Sequence, residues 1–298
     1  MKLPRIGIGA AGAFLFATSL TAQLPQTWVS ATGNDSTCTG TTAKPCASFS
    51  QAIFLTAPGG TVSVPGPGNY GPAYTTQSIT IDGTGGGSIN FAGDAEGILL
   101  EPSANVNIVP RNLAIHGSGT GAYAIYIASL GTANTMNVVI DGCLIDGFSN
   151  YGVTVGSNSP TFVTMRNTMI QGGQIGVFTS QNGTTAPVTN NSHVSLDHVN
   201  IQGATEEGVY TRNGNMDINN SNITGIMGSG AAGIVADTYA ALNVQSTMIT
   251  GNNIGVCIYP NSTAIIGTST LVADNTTNNL ACGGTVQGMA GPGPSPKL

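Results

Sequence analysis

The sequence predicts an all-β fold: a single-stranded right-handed parallel β-helix, a solenoid of three short strands per coil, with an N-terminal capping segment. Three observations predict it. The 298 residues include 43 glycines and only 7% charged residues, yet 40% are hydrophobic. Disorder requires low hydrophobicity and high net charge, so a packed fold follows instead. One short pattern returns seven times at intervals of 22 to 31 residues, which marks a solenoid, a propeller or an array. Inside each interval apolar residues alternate with period two, the signature of half-buried strands.

Taken in order, residues 1–22 open with Lys2 and Arg5, run through the apolar stretch Ile6 to Leu20 and end in the small residues Ser19, Thr21 and Ala22. This is the layout of a secretory signal peptide. Its removal takes the formal charge from −6 to −8, and the protein is expected outside the cytoplasm, extracellular or periplasmic, with no membrane attachment afterwards. Residues 23–75 read as a cap containing a short amphipathic helix. Export makes disulfides possible. Cys38 and Cys46 flank a polar loop at a spacing suited to a local staple, Cys257 and Cys282 form a second candidate pair, and Cys143 is left over. His116, His193 and His198 stand away from every cysteine pair, so neither a metal-thiolate site nor any cofactor is expected.

Residues 76–284 carry the coils. The repeated anchors are Ile115/Gly117, Ile145/Gly147, Ile170/Gly172, Ile201/Gly203, Ile223/Gly225, Ile249/Gly251 and Leu271/Ala273. Inward positions precede them by seven residues (Ile108, Val138, Val163, Val194, Met216, Leu242, Ala264) and by five (Pro110 through Ile266). A third strand follows each anchor, as in Ile125-Tyr126-Ile127 and Val209-Tyr210-Thr211. Propeller blades need about 40 residues and leucine-rich repeats need regular leucines with an outer helix, so a parallel coil remains. Coils stack at roughly 4.8 Å, and equivalent residues form ladders. Less regular coils precede, in Ser78–Ile81, Ser88–Phe91 and Gly97–Leu100. The longer units place loops at Gly131–Asn134 and Thr179–Asn191. Gly288–Leu298 reads as a flexible tail within 285–298.

The ladders account for residues that otherwise look catalytic. Four positions before the anchors stand Arg111, Asp141, Arg166 and Asp197, then Asn219 and Gln245. Alternating charge at strand spacing predicts a salt-bridge ladder, with Arg166 holding both flanking aspartates ionised, unlike a general acid. Next come Asn112, Gly142, Asn167, His198, Asn220 and Ser246, at a corner that favours left-handed residues and amides stacked on one another. Cys143 falls in the inward series from Leu113 through Thr247 to Ser269 and reads as a buried thiol.

Two outward columns remain. The third strand points Tyr126, Thr154, Phe178, Tyr210, Val235 and Cys257 outward; aromatic rings on a flat sheet suit sugar rings, or simply suit strands and cover them under neighbouring loops. Beside the anchors His116, Asp146, Gln171 and Gln202 also point outward, with Glu206 and Glu207 in the following corner. Ligand contact is assigned to Tyr126, Phe178, Tyr210, Gln171 and Gln202. His116 beside Asp146 is the best acid/base pair present. There is no G-x-S-x-G, P-loop or EF-hand pattern, and with net charge −6 and no basic cluster nucleic acid lacks its usual electrostatic attraction.

The opening Thr27-Trp28-Val29-Ser30, with Gly33, Asp35, Cys38, Pro45-Cys46 and Phe49-Ser50-Gln51-Ala52-Ile53, resembles that of secreted bacterial right-handed β-helix repeat proteins of the pectin-lyase-like superfamily. The resemblance implies a capped β-helix in which Phe49, Ile53, Phe54 and Leu55 close the first coil. The superfamily includes pectate lyases, polygalacturonases and phage tailspikes, and also members of no known activity. The clustered acids of a pectate lyase calcium site and the N-T-D, D-D, G-H and R-I-K motifs of polygalacturonases are missing from this sequence, and kinship of fold alone licenses no activity. The expectation is therefore a carbohydrate-binding or structural extracellular protein whose partner is a polysaccharide or cell-surface glycan. The alternatives are a polysaccharide lyase or glycoside hydrolase working through Asp146, His116 and nearby acids, and an adhesin or scaffold with no small ligand.

Overall fold

The computed structural model describes residues 23–129, 134–180, 193–276 and 278–288. The expected signal peptide, residues 1–22, most of the two expected loops and residues 289–298 lie outside them. The chain winds into a right-handed parallel β-helix of three faces. The first face is an eleven-stranded parallel sheet whose strands follow one another in chain order, from Leu24–Trp28 to Thr285–Gln287. The second and third faces form one sixteen-stranded sheet, because Ala114–Ala128 and Leu144–Gly156 run through the corner between them.

The aliphatic columns explain why these residues coil. Ile89, Ile115, Ile145, Ile170, Ile201, Ile223, Ile249 and Val272 pair in unbroken register along the second face, and each is 0–1% exposed. Parallel strands need a crossover, and here the other two faces provide it. One anchor departs from the sequence pattern. The last coil presents Val272 inward, whereas Leu271 is 47% exposed and Ser269 is outside. Thr263–Ile266 keeps register with Ala241–Val244, so the turn after Gly267 holds one extra residue. Thr270, rather than Ser269, takes the place of Thr247, each hydroxyl donating to a carbonyl of the preceding coil, Val244 and Ile218.

The coil begins earlier than residue 76. Thr56–Ser63, Gly68–Asn69 and Ala73–Thr75 form a complete turn paired with the next. The helix Phe49–Leu55 starts at Ser48, whose hydroxyl accepts from the Gln51 amide, a standard N-cap. It buries Phe49, Ala52 and Ile53. Phe54, expected on the capping side, is 68% exposed, because in a seven-residue helix the Phe49–Ile53 stripe leaves it on the far side. At the other end Thr285–Gln287, within the expected tail, adds a further strand to the first face. Disulfides join Cys38 to Cys46 and Cys257 to Cys282, and Cys143 is free and buried.

On the first face Arg111, Asp141, Arg166 and Asp197 stand in register, but of the four only Arg166 and Asp141 pair with each other. Arg111 reaches back to Asp82 at 2.8 Å and Arg166 to Asp141 at 3.0 Å. Burial alone would raise the Asp82 carboxyl; Arg111, Thr84 and Asn112 outweigh it and hold it at about 2. Asp197 is held by Asn220 and His198 rather than by Arg166. Every corner residue from Asn112 to Ser246 has φ between 49° and 63°. The corner amides do not bond to one another. Asn167 and Asn220 donate to Asp141 and Asp197 of the preceding coil, at 3.0 and 2.8 Å.

Candidate functional site

The third face gathers the aromatic residues, and a recurring tight contact explains how. In strand after strand a glycine follows the first outward residue: Gly152, Gly176, Gly208 and Gly233. A Cβ on any of them would stand 2.5–2.8 Å from the next coil's carbonyl and 2.5–2.9 Å from an anchor isoleucine methyl. The close approach produces an out-in-in-out pattern, seen in Glu207–Tyr210 and, with Ala124 in the glycine's place, in Tyr123–Tyr126. Each coil therefore shows two outward residues three apart. One column reads Glu96, Tyr123, Tyr151, Ile175, Glu207 and Ala232. The other reads Leu99, Tyr126, Thr154, Phe178, Tyr210, Val235 and Cys257.

Tyr126, Phe178 and Tyr210 thus share a column, as expected from sequence, and Tyr123 and Tyr151 of the neighbouring column join their rings. The five rings form a continuous zigzag: Tyr126 on Tyr123 at 5.3 Å, Tyr123 on Tyr151 at 5.4 Å, Tyr151 on Phe178 at 5.2 Å and Phe178 on Tyr210 at 5.4 Å. The first three contacts are stacked, at 17–24° between planes. Ring faces are engaged with one another, so the stack offers edges and phenol hydroxyls outward. Tyr123, Tyr126 and Tyr151 make no hydroxyl hydrogen bond among the described residues, whereas Tyr210 donates to Asp237 at 2.9 Å. Under the rings Thr154 is 5% exposed, and its hydroxyl has no partner. The three-residue offset was visible in the sequence at Tyr123/Tyr126 and Glu207/Tyr210, but alternation with period two hides it.

Carboxylates border the stack. Burial, then the nearby Glu206, pushes Glu207 up to about 7. Burial raises Tyr126 and Tyr151, with Glu101 and Glu96 adding to the first and Glu206 and Glu207 to the second. Tyr210 is raised much further, by burial and then by its bond to Asp237.

The polar column lies on the second face, separated from the rings by the corner at residues 147–150. His116, Asp146, Gln171 and Gln202 stand in register there. His116 Nδ1 lies 2.6 Å from Asp146 Oδ1, each about one-third exposed. His193 meets Asp217 of the next coil at 2.9 Å, a second histidine–aspartate contact between coils, and His198 meets its own neighbour Asp197 at 3.0 Å. A groove of about 550 Å³ lies elsewhere, at the corner between the first and second faces, lined by residues including His198, Asn200, Asn222, Met248 and Leu271. Asp35 lies close to Cys38 and Cys46, but both sulfurs are spent in the disulfide and the carboxylate accepts from the Ala47 and Ser48 amides.

No family model and no curated protein sequence matches the chain. Among solved structures it is similar to pectate lyase Pel9A, with a TM-score of 0.59 and 14% identity over 88% of this chain and 77% of that one. It is also similar to the GH136 lacto-N-biosidase from Eubacterium ramulus, with a TM-score of 0.50 and 11% identity over 89% and 67%. At these identities the likeness is one of fold: the chain is a parallel β-helix built as those two enzymes are.

Proposed function

We propose that this is a secreted carbohydrate-binding β-helix protein whose third face takes a glycan strand along the coil axis. The observation that carries the reading is the five-ring zigzag from Tyr126 to Tyr210, with three phenol hydroxyls at its rim that have no partner among the described residues. Aromatic surface with hydroxyl donors and acceptors at its edge suits a ligand that is apolar on its ring faces and polar around its rim. Gln171 and Gln202, across the corner, extend the contact. A signal-like N-terminus and two disulfides support an oxidising compartment, and no helix among the described residues is long and apolar enough to cross a membrane. Affinity electrophoresis through gels cast with a panel of polysaccharides tests the reading. At least one polymer retards the protein, and Tyr126→Ala, Phe178→Ala and Tyr210→Ala abolish the retardation. Migration unaffected by every polymer supports a scaffold or adhesin instead.

One observation favours a second reading, a polysaccharide lyase or glycoside hydrolase. Burial and the neighbouring Glu206 push Glu207 up to about 7, the direction a general acid needs, and His116 with Asp146 offers a further proton-transfer pair. Release of reducing or unsaturated ends from a retarding polymer, abolished by Glu207→Gln or by Asp146→Asn, would establish it.

A further inference from the structure

Charge on the third face is one-sided. The chain has four glutamates, Glu96, Glu101, Glu206 and Glu207, and all four border the aromatic stack, where they act electrostatically on Tyr126 or Tyr151. Asp237 adds a fifth carboxylate at Tyr210. Among the described cations, Arg111 and Arg166 are held by aspartates on the first face, Lys44 sits in the loop closed by Cys38 and Cys46, and Arg212 alone acts on the rings. A second feature points to a ligand independently of charge. The Thr154 hydroxyl stands between Tyr126 and Phe178 in the outward column, buried and unbonded, and a buried hydroxyl without a partner is uncommon.

We propose that the ligand of this face is a glycan carrying free amino groups, of the glucosamine type, and not a polyuronate. The inference rests on the third face being the glycan-binding surface. An ammonium on the sugar offers three donors and a positive charge to carboxylates, which are acceptors only when ionised, and to phenol oxygens, which accept readily. A polyuronate would instead bring a carboxylate on each residue against carboxylates, with Arg212 the one cation beside them. Strand spacing also suits a polymer: coils recur at roughly 4.8 Å, close to the rise of one sugar, so successive residues meet successive coils.

Titration calorimetry of the full protein with hexasaccharides of glucosamine, N-acetylglucosamine and galacturonic acid tests this. Glucosamine hexasaccharide is expected to bind about tenfold more tightly than the acetylated one, with no detectable galacturonate binding, and about 0.3 M salt should erase most of the preference. Glu96→Gln with Glu206→Gln removes the preference. Asp217→Asn with Asp274→Asn, an equal change of charge away from this face, leaves it intact. These surface variants should keep the wild-type melting temperature, which separates lost binding from lost structure. Equal affinity for the amino and acetylated sugars, or equal loss in both double variants, overturns the amino-group proposal. The glycan-face reading then survives if Tyr126→Ala still weakens binding. Failure of all three sugars to bind overturns the amino-group proposal, and the glycan-face reading then stands or falls on the polysaccharide panel.

Discussion

A single residue inserted into a turn shows how finely each position is set. Thr268, Ser269 and Thr270 hold one residue more than the matching turn of the preceding coil, so the inward side chain becomes Val272 and not the larger Leu271. Pattern alone favours Leu271, because it keeps the distance to Ala273 seen in other anchors; only hydrogen bonding within the turn reveals the slip. Val272→Ala should destabilise by about 1–3 kcal/mol as buried methyls are lost, and Leu271→Ala by under about 0.5 kcal/mol, both by denaturant unfolding. Reversed magnitudes would restore the shorter turn. Glu207 supplies a test by pH. Its folded value, about 7, lies above the ordinary 4.5, so the folded state holds the proton longer than the unfolded chain. Stability from this group is therefore full at pH below the unfolded value and is lost as pH rises through 7. Glu207→Gln should raise the melting temperature at pH 8 and leave it unchanged at pH 4.5; an equal shift at both would remove the protonation argument.

Strands and corners were the most legible level. The aliphatic columns, the left-handed corner and both disulfides follow from alternation, spacing and turn chemistry in the sequence, because each is repeated and each repeat obeys the same steric rule. The glycine column escaped notice, since a glycine reads as a turn signal until its neighbour in the next coil is known. Gly208→Ala would place a methyl 2.6 Å from both the Gly233 carbonyl oxygen and Ile223 Cγ2. The two coils must part there, at a cost of about 1–3 kcal/mol, and the altered strand should disturb Tyr210 and its neighbours, visible as a changed near-ultraviolet circular dichroism. An unperturbed spectrum with wild-type stability would show that the contact yields freely. The Cys257–Cys282 bond ties the last third-face strands across 25 residues, and loop entropy puts its contribution at about 3.5 kcal/mol. Replacing both cysteines with alanine should accelerate hydrogen exchange in residues 254–288 first; uniform acceleration along the solenoid would mean that the coils unfold as one unit.

For the molecule as a whole, stability is local. Each coil packs on two neighbours, the helix Phe49–Leu55 covers one end, and repetition leaves three long faces with different chemistry. The ion-pair ladder occupies the first, the polar column the second, and rings with carboxylates the third. The fold was readable because burial repeats at every turn. The ring stack was legible only in part: Tyr126, Phe178 and Tyr210 fall in one outward column, but the stack draws on four coils, follows no motif, and is interleaved with Thr154, Ile175 and Glu207 at positions where a pattern search expects aromatics. The most direct measurement of the central claim is hydrogen exchange by mass spectrometry with and without a polysaccharide that retards the protein. Protection confined to residues 123–128, 151–156, 175–180 and 207–212 is the predicted result. Protection at the corner groove around Asn200, Asn222 and Leu271, with the third face unchanged, would contradict it.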